Sequence, residues 1–231
     1  MAARLASPVD LNEYFEKDEV AGVAVSVMEI GPCSIPTGSI EASDPLFTLG
    51  IDDTPYIDTC PPGEYTAEVC VVAPRMGDDA RYAAVRLRFS DRRAETFDLA
   101  LIGDEDLRSL QDDDFFGFQV GTGLACIADM EVAEAYGRFL DGWYEQHPEG
   151  DIYQDYFADL FISNARENPA NQTPEGDWLS WTVPGTEYHI PIFHSGFGDG
   201  IYPVYWGRDS DGAICQVIIQ FIDISMAYEG E

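Results

Sequence analysis

The 231 residues include 43 Asp and Glu but only 12 Lys and Arg, which gives a formal net charge of −31 at pH 7. A field of this sign repels nucleic acid and anionic membranes, so we expect neither direct nucleic-acid binding nor membrane binding. Hydrophobic residues make up 45% of the chain, which is typical of a globular protein, and no apolar run approaches the roughly 18 residues of a membrane span.

The length suits one large domain or two small ones, and without a convincing boundary we expect a single domain over residues 1–231. We expect the chain to be cytoplasmic, because its amino-terminal segment lacks the apolar stretch of a signal peptide. Its five cysteines are odd in number and include no CxxC pair, which predicts buried free thiols in a reducing compartment. Only Cys126, beside a glycine turn, is considered as a nucleophile. The cysteines are Cys33, Cys60, Cys70, Cys126 and Cys215.

Alternating apolar residues in the first half of the chain predict strands. A short helix over residues 8–19 precedes two strands, 22–30 and 34–42, separated by a turn at Gly31 and Pro32. Three further strands with one apolar and one polar face predict an antiparallel meander. These strands are residues 64–73, 81–90 and 94–101.

Five of the twelve basic residues lie in or beside this meander. Ion pairs across the strands, to Glu64 and Glu68, are the simplest explanation for them. An anion site on the same side chains is the alternative. The five are Arg81, Arg86, Arg88, Arg92 and Arg93.

Helical spacing of apolar residues follows two short strands at 115–120 and 124–127. Asp129 is the predicted N-cap of a helix that runs to about Gln146, and a second helix covers residues 152–166. The two are predicted to form a helical hairpin, about 130–166, that packs on one face of the sheet. A polar loop at 168–177 leads to two more strands, 178–183 and 187–193.

The carboxy-terminal region reads as a β-hairpin. A tight turn at residues 208–212 joins a short aromatic strand, 201–207, to a strand at 213–224 that is apolar on both faces, which indicates a central position. The predicted fold class is therefore α+β: a largely antiparallel sheet, a helical hairpin on one face and a central C-terminal β-hairpin.

Four sequence stretches resemble a bacterial family known only as a domain of unknown function. They are IPTGSIEASDP, PPGEYTAEVCV with ARYAAVRLRFSD, FGFQVGTGLACIAD, and the carboxy-terminal GDGIYPVYWGRDSDG. The resemblance covers roughly residues 8–224. Members are similar to proteins encoded near polymorphic toxin genes, so the resemblance implies an immunity role.

One constellation has the residue types of a catalytic or metal site. A bend at Gly196 could bring His194 and Asp199 together. Structural hydrogen bonding is the favoured role for both, because no third metal ligand is visible and no complete catalytic motif is present. No metal site and no cofactor are predicted, and an enzyme is the less favoured class. The candidate functional pocket consists of Asp129, His194, Asp199, Tyr202 and Trp206.

The acidic balance favours a binding protein. The leading hypothesis is an immunity-type protein that sequesters a basic partner, such as a toxin or a nucleic-acid-binding protein, through one continuous acidic patch. The alternatives are a phage-type inhibitor that mimics DNA, a hydrolase-like enzyme that uses His194 and Asp199, and a charge that serves only solubility or a salty environment. The patch residues are Asp104, Glu105, Asp106, Asp112, Asp113, Asp114, Glu145, Glu149 and Asp151.

Overall fold

The computed structural model of the protein describes residues 5–73, 80–111 and 114–228. Within those ranges every strand pair is antiparallel, and a few helices accompany the strands. The predicted α+β class with largely antiparallel pairing is confirmed. The sequence predicted one sheet, however, and the described strands form three. Periodicity identifies strands but not their partners, so it could not divide them between sheets.

The larger sheet has seven strands in the order β1-β2-β4-β5-β13-β12-β6. Strand β13 is hydrogen-bonded to β5 on one side and to β12 on the other, and six of its seven residues are buried. The strands are β1 Glu19–Val20, β2 Val23–Ile35, β4 Gly63–Val72, β5 Arg81–Arg88, β6 Thr96–Leu99, β12 Val204–Arg208 and β13 Ile214–Gln220.

A four-stranded sheet in the order β3-β8-β10-β9 and a two-stranded ribbon of β7 and β11 complete the β-structure of the described chain. The strands are β3 Ile40–Ser43, β7 Phe118–Val120, β8 Leu124–Asp129, β9 Trp178–Thr182, β10 His189–His194 and β11 Gly200–Tyr202.

Two helical segments, residues 130–146 and 153–167, cover the four-stranded sheet, whereas the short helices at 13–16 and 224–227 pack in the core that includes the large sheet. The longest, α2, buries Val132, Tyr136, Leu140 and Trp143 along one stripe, and the side chain of Asp129 caps its amino terminus by accepting from the Glu131 N–H at 3.0 Å. The helices are α1 Glu13–Glu16, α2 Met130–Gln146, a π-helical turn Tyr153–Phe157 continued by α3 Ala158–Glu167, and α4 Ile224–Ala227.

Three layers result, because the four-stranded sheet has two buried faces. Along β8, Ala125 and Ile127 belong to the core shared with the seven-stranded sheet. Leu124 and Cys126 belong to the core shared with the helices. The order is therefore large sheet, small sheet and helical layer.

Several predicted elements differ from the structure. The strands predicted at 64–73, 81–90 and 94–101 do not form a meander, because β13 and β12 lie between β5 and β6. The strand predicted at 201–207 is divided between β11 in the ribbon and β12 in the large sheet.

The turn predicted at Gly31 and Pro32 is a β-bulge within the continuous strand β2, since the register with β4 shifts between Glu29 and Pro32. Gly31, at φ +106°, supplies the conformation that a bulge requires. The helix predicted at residues 8–19 is only α1, because the preceding segment is held in turns such as the Asn12 N–H bond to Asp10.

Across the described ranges, none of the helices combines the length and apolar character that spanning a bilayer requires.

Candidate functional site

A cavity of about 570 Å³ lies where the end of β10 meets the connection between α2 and the π-helical turn. Its volume is within the usual range for sites that bind small molecules or single side chains. The walls combine aromatic, aliphatic and polar groups. The lining residues are Leu46, Thr122, Leu124, Tyr144, Gly150, Asp151, Ile152, Tyr153 and His194.

The buried carboxylate of Asp44 fixes one wall of this cavity. It accepts hydrogen bonds from the backbone N–H groups of Gly121 and Thr122, both at 2.9 Å, and from the Thr122 hydroxyl at 2.8 Å. The backbone N–H of Leu46 is a further donor, at 2.9 Å. A carboxylate without solvent exposure needs such a set of donors, and here they lock the turn that leads into β8.

Asp151 anchors the opposite wall. Its Oδ1 accepts from the backbone N–H groups of Tyr153 and Gln154, both at 3.0 Å, while its own N–H donates to Oδ2 of Asp155 at 2.8 Å. This reciprocal capping explains why the helical structure begins immediately after Gly150. No described group donates to Oδ2 of Asp151, so this oxygen is available at the cavity wall.

The imidazole of His194 lies beside the carboxylate of Asp177, not beside that of the predicted partner Asp199. Nδ1 of His194 lies 3.2 Å from Oδ1 of Asp177, and that carboxylate also accepts from Thr173. Partial desolvation lowers the pKa of His194, whose side chain is still 46% exposed, and the Asp177 carboxylate acts in the opposite direction. The sequence placed Asp177 in the polar loop before β9, and the strand pairing of β9 with β10 then brings it beside His194.

The five residues of the predicted functional pocket do not come together. Asp129 is fully buried and accepts from Thr37, Gly38 and Glu131. It lies five residues along β8 from Leu124, the register partner of His194, which is roughly 17 Å in a strand. Asp129 is therefore a structural cap and no neighbour of the imidazole.

The other predicted members lie elsewhere. Trp206 is fully buried in the core between the sheets. Tyr202 donates to the Gly198 carbonyl at 2.7 Å and lines a different groove, with Phe221. Asp199 is exposed on the turn before β11. His194 alone of the five lines the cavity.

The predicted acidic patch residues lie on separate segments. Glu105 accepts from the backbone N–H groups of Ile102 and Gly103, and Asp114 accepts from that of Gln111. Asp104 and Asp106 flank Glu105, Asp112 and Asp113 lie outside the described residues, and Glu145, Glu149 and Asp151 lie at the end of α2 and in the connection that borders the cavity.

Most arginines that flank the large sheet are engaged with carboxylates. Arg86 bonds Glu68 at 2.9 Å across β4 and β5, where the two are register partners. Arg92 bonds Asp209 and Asp211, and Arg93 bonds Asp10 and Glu16. Only Arg86 makes the predicted cross-strand pair with Glu68, whereas Arg92 and Arg93 pair with carboxylates outside strand β4.

Burial makes the cysteine thiols unreactive. All five cysteines are buried free thiols, and burial raises the pKa of Cys126 well above its ordinary value, which disfavours the thiolate needed for nucleophilic attack.

Glu41 is a buried acid that sequence patterns did not single out, because one charged residue in a short strand gives no periodic signal. Its side chain is almost inaccessible, Oε2 accepts from the Thr54 N–H at 2.7 Å, and Oε1 has no partner. Desolvation raises its pKa to about 8.

The chain belongs to the family described as "Protein of unknown function (DUF4241)", whose model matches residues 33–219. This range is more than half of the chain and confirms the resemblance to a domain of unknown function. A search of curated proteins returned no match. A search of solved structures also returned none.

Proposed function

We propose that this chain is an acidic binding protein of the immunity type, which acts in the cytoplasm and sequesters a basic protein partner such as a toxin domain. The observation that carries the proposal is the composition of the helical layer. Between residues 130 and 167 every carboxylate is exposed, and only Arg138 and Arg166 oppose them. The nine carboxylates are Glu131, Glu134, Asp141, Glu145, Glu149, Asp151, Asp155, Asp159 and Glu167.

The rest of the chain is acidic as well, with 34 (43 − 9) acidic and 10 (12 − 2) basic residues, but more of its charge is paired. Several of the arginines around the large sheet are matched by carboxylates within the chain, as the pair of Arg208 with Asp58 and Asp98 also illustrates. Within the helical layer the recorded ion pair is Arg138 with Glu134. An unmatched negative face steers a basic partner toward itself and raises its association rate by about 10–10³ at low salt.

A specific observation favours a second candidate, a hydrolase-like enzyme. An imidazole held by a carboxylate in a cavity is the arrangement of a general base, and here Asp177 takes the role that the sequence assigned to Asp199. Hydrolysis of a chromogenic ester that disappears in His194→Ala would favour this candidate over the binding function.

A charge-reversal experiment tests the binding proposal. The probe is a purified basic toxin domain, with a DNA-binding enzyme as the probe for the DNA-mimic alternative. One variant carries Asp141→Lys, Glu145→Lys and Glu149→Lys. The control carries Glu19→Lys, Glu95→Lys and Glu187→Lys, exposed positions outside the helical layer with the same change in net charge.

The first variant should slow association at low salt by about tenfold or more, with a smaller effect on dissociation. The control should have a clearly smaller effect. Equal slowing in both variants would mean that net charge alone acts and would remove the helical layer from the proposal. No binding of either probe by the wild-type protein would count against a basic partner altogether.

A further inference from the structure

The side chains that line the cavity beside His194 present hydrogen-bond acceptors that can still receive an N–H group from a ligand. Asp151 has Oδ2 without a described donor, and as a carboxylate it only accepts. The Thr122 hydroxyl donates to Asp44, which leaves its lone pairs for a ligand. A neutral imidazole has one ring nitrogen that accepts, so His194 adds a further acceptor to the cavity wall. A complementary ligand must therefore supply N–H donors.

The charge of the cavity selects among such ligands. Neither Lys nor Arg contributes to its wall, whereas Asp151 does. Asp177 lies behind His194, and both Asp177 and Glu175 are close enough to Tyr153 to raise the pKa of that phenol, after the larger effect of burial. Since burial lowers the pKa of His194, the imidazole adds no compensating positive charge at neutral pH. The site is negative and accommodates a cation.

The remaining walls have the chemistry that a long basic side chain requires. Two aromatic residues, Tyr144 and Tyr153, and two aliphatic residues, Leu124 and Ile152, line the cavity. Planar guanidinium groups stack on aromatic rings and carry five N–H donors, whereas an ammonium offers a compact point charge with three. Three separate acceptors beside two tyrosines suit the guanidinium better.

We propose that this cavity binds an alkylguanidinium group, supplied by an arginine side chain of the basic partner. The inference deepens the proposed function and rests on it for the source of the arginine. In this proposal the acidic helical layer attracts the partner over a long distance, and the cavity makes the contact that fixes the partner's position. Interfaces commonly concentrate their binding energy in such a pocket filled by an arginine or an aromatic side chain.

A titration with small probes tests the site without the partner. The wild-type protein is titrated at neutral pH with N-acetyl-arginine N-methylamide, with agmatine and with N-acetyl-citrulline N-methylamide, and the tyrosine and histidine ring resonances are followed by NMR. The capped arginine should bind and shift the resonances of Tyr144, Tyr153 and His194. The citrulline compound, which is nearly isosteric but uncharged, should bind at least about tenfold more weakly. Equal binding of arginine and citrulline compounds would overturn the proposal.

The two guanidines distinguish the source of the group. Capped arginine that binds at least as tightly as agmatine supports a protein side chain as the ligand. A preference for agmatine of more than about tenfold, roughly 1.4 kcal/mol, would assign the cavity to a free guanidine and overturn the link to the partner.

Matched variants locate the binding. Asp151→Asn removes the charge but retains an oxygen that caps the helix, and Glu149→Gln removes the same charge from an exposed neighbour outside the cavity wall. The first should weaken capped-arginine binding by about tenfold and the second by less than about twofold. Melting curves by circular dichroism show whether both variants fold.

Equal losses in the two variants would overturn the site. If the charge-reversal variant slows association with the basic protein but Asp151→Asn leaves its affinity unchanged, the cavity proposal fails and the proposed function stands. If capped arginine binds the cavity while the basic protein does not bind, the proposed function fails and the guanidinium site stands alone.

Discussion

His194 is tied to Asp177 twice, by its imidazole Nδ1 at 3.2 Å from the carboxylate Oδ1 and by its backbone N–H at 2.9 Å from the carbonyl oxygen. The last residue of β10 is therefore fixed to the residue that precedes β9. One carboxylate both orients the imidazole and terminates the polar loop that begins after α3.

This relationship predicts the titration of His194. Asp177 raises the pKa of His194 against the larger effect of burial, so Asp177→Asn should lower that pKa further. Histidine resonances followed by NMR against pH measure the change directly. A His194 pKa that rises in the variant would contradict the assigned partner.

The lowered pKa of His194 also makes the stability of the protein depend on pH. In the folded state His194 binds its proton less readily than at the ordinary pKa of 6.5, so the unfolded chain holds more protons between the two values. Stability from this group is therefore present above pH 6.5 and is lost as the pH falls through that window. The free energy of unfolding, measured in urea, should depend on pH differently in the wild type and in His194→Gln only within this window.

Glu41 predicts the opposite dependence. Its pKa of about 8 in the folded state exceeds the ordinary 4.5, so the folded chain holds the extra proton and stability falls as the pH rises between these values. Glu41→Gln keeps an oxygen for the Thr54 N–H and cannot ionise. We expect it to be more stable than the wild type at about pH 8, by roughly 2–4 kcal/mol, and equal to it near pH 4.5. Parallel stability–pH curves for the two proteins, measured by urea unfolding, would contradict a buried neutral carboxyl group.

Alanine substitutions at two glycines of α2 should change the stability of the protein in opposite directions. A Cβ on Gly137 would lie 2.8 Å from the Gly50 carbonyl oxygen, whereas a Cβ on Gly142 meets nothing within 4 Å. Gly142→Ala should therefore stabilise the protein by about 0.5–1 kcal/mol through helix propensity. Gly137→Ala should destabilise it by about 1–3 kcal/mol despite the same gain in propensity. Melting temperatures of the two variants that move in the same direction would show that α2 does not pack on Gly50 as described.

Charge introduced into β13 should be tolerated unequally along the strand. Ile219 has Val85 and Val204 as register partners, while Ile218 has Arg86 beside it on β5. Ile219→Asp buries a carboxylate among apolar side chains and should cost more than about 3 kcal/mol. Ile218→Asp should cost less, because the guanidinium of Arg86 lies beside it, although that group is already paired with Glu68. Urea unfolding provides the comparison, and Ile51→Asp, at a side chain 70% exposed, serves as the control near zero.

Local patterns in the sequence predicted most of the secondary structure but not its assembly. Alternation along residues 64–73 and 81–90, and the N-cap at Asp129, depend on near neighbours, and the structure has these elements. The division into two main sheets depends on contacts between distant segments, such as β3 with β8, which no local pattern encodes. A bulge at Gly31 and a turn at Gly31 have the same sequence signature.

The candidate site was predicted only in part for the same reason. The motif around His194 drew attention to one correct residue, and the charge pattern drew attention to Asp151. Asp177 lies 17 positions before His194 in a loop without a motif, and only the pairing of β9 with β10 brings the two together. Sequence proximity instead suggested Asp199, which is exposed on the next turn.

The buried carboxylate of Asp44 has a consequence for how tightly the cavity can hold a guest. Its donors Leu46, Gly121 and Thr122 belong to two segments more than 70 residues apart, so the wall is assembled by the chain's own bonds. A preorganised wall spares the entering group the entropic cost of ordering loops, and weak individual contacts then suffice for useful affinity. The rigidity of this wall makes the cavity selective, because a rigid turn does not rearrange to fit a ligand of another shape.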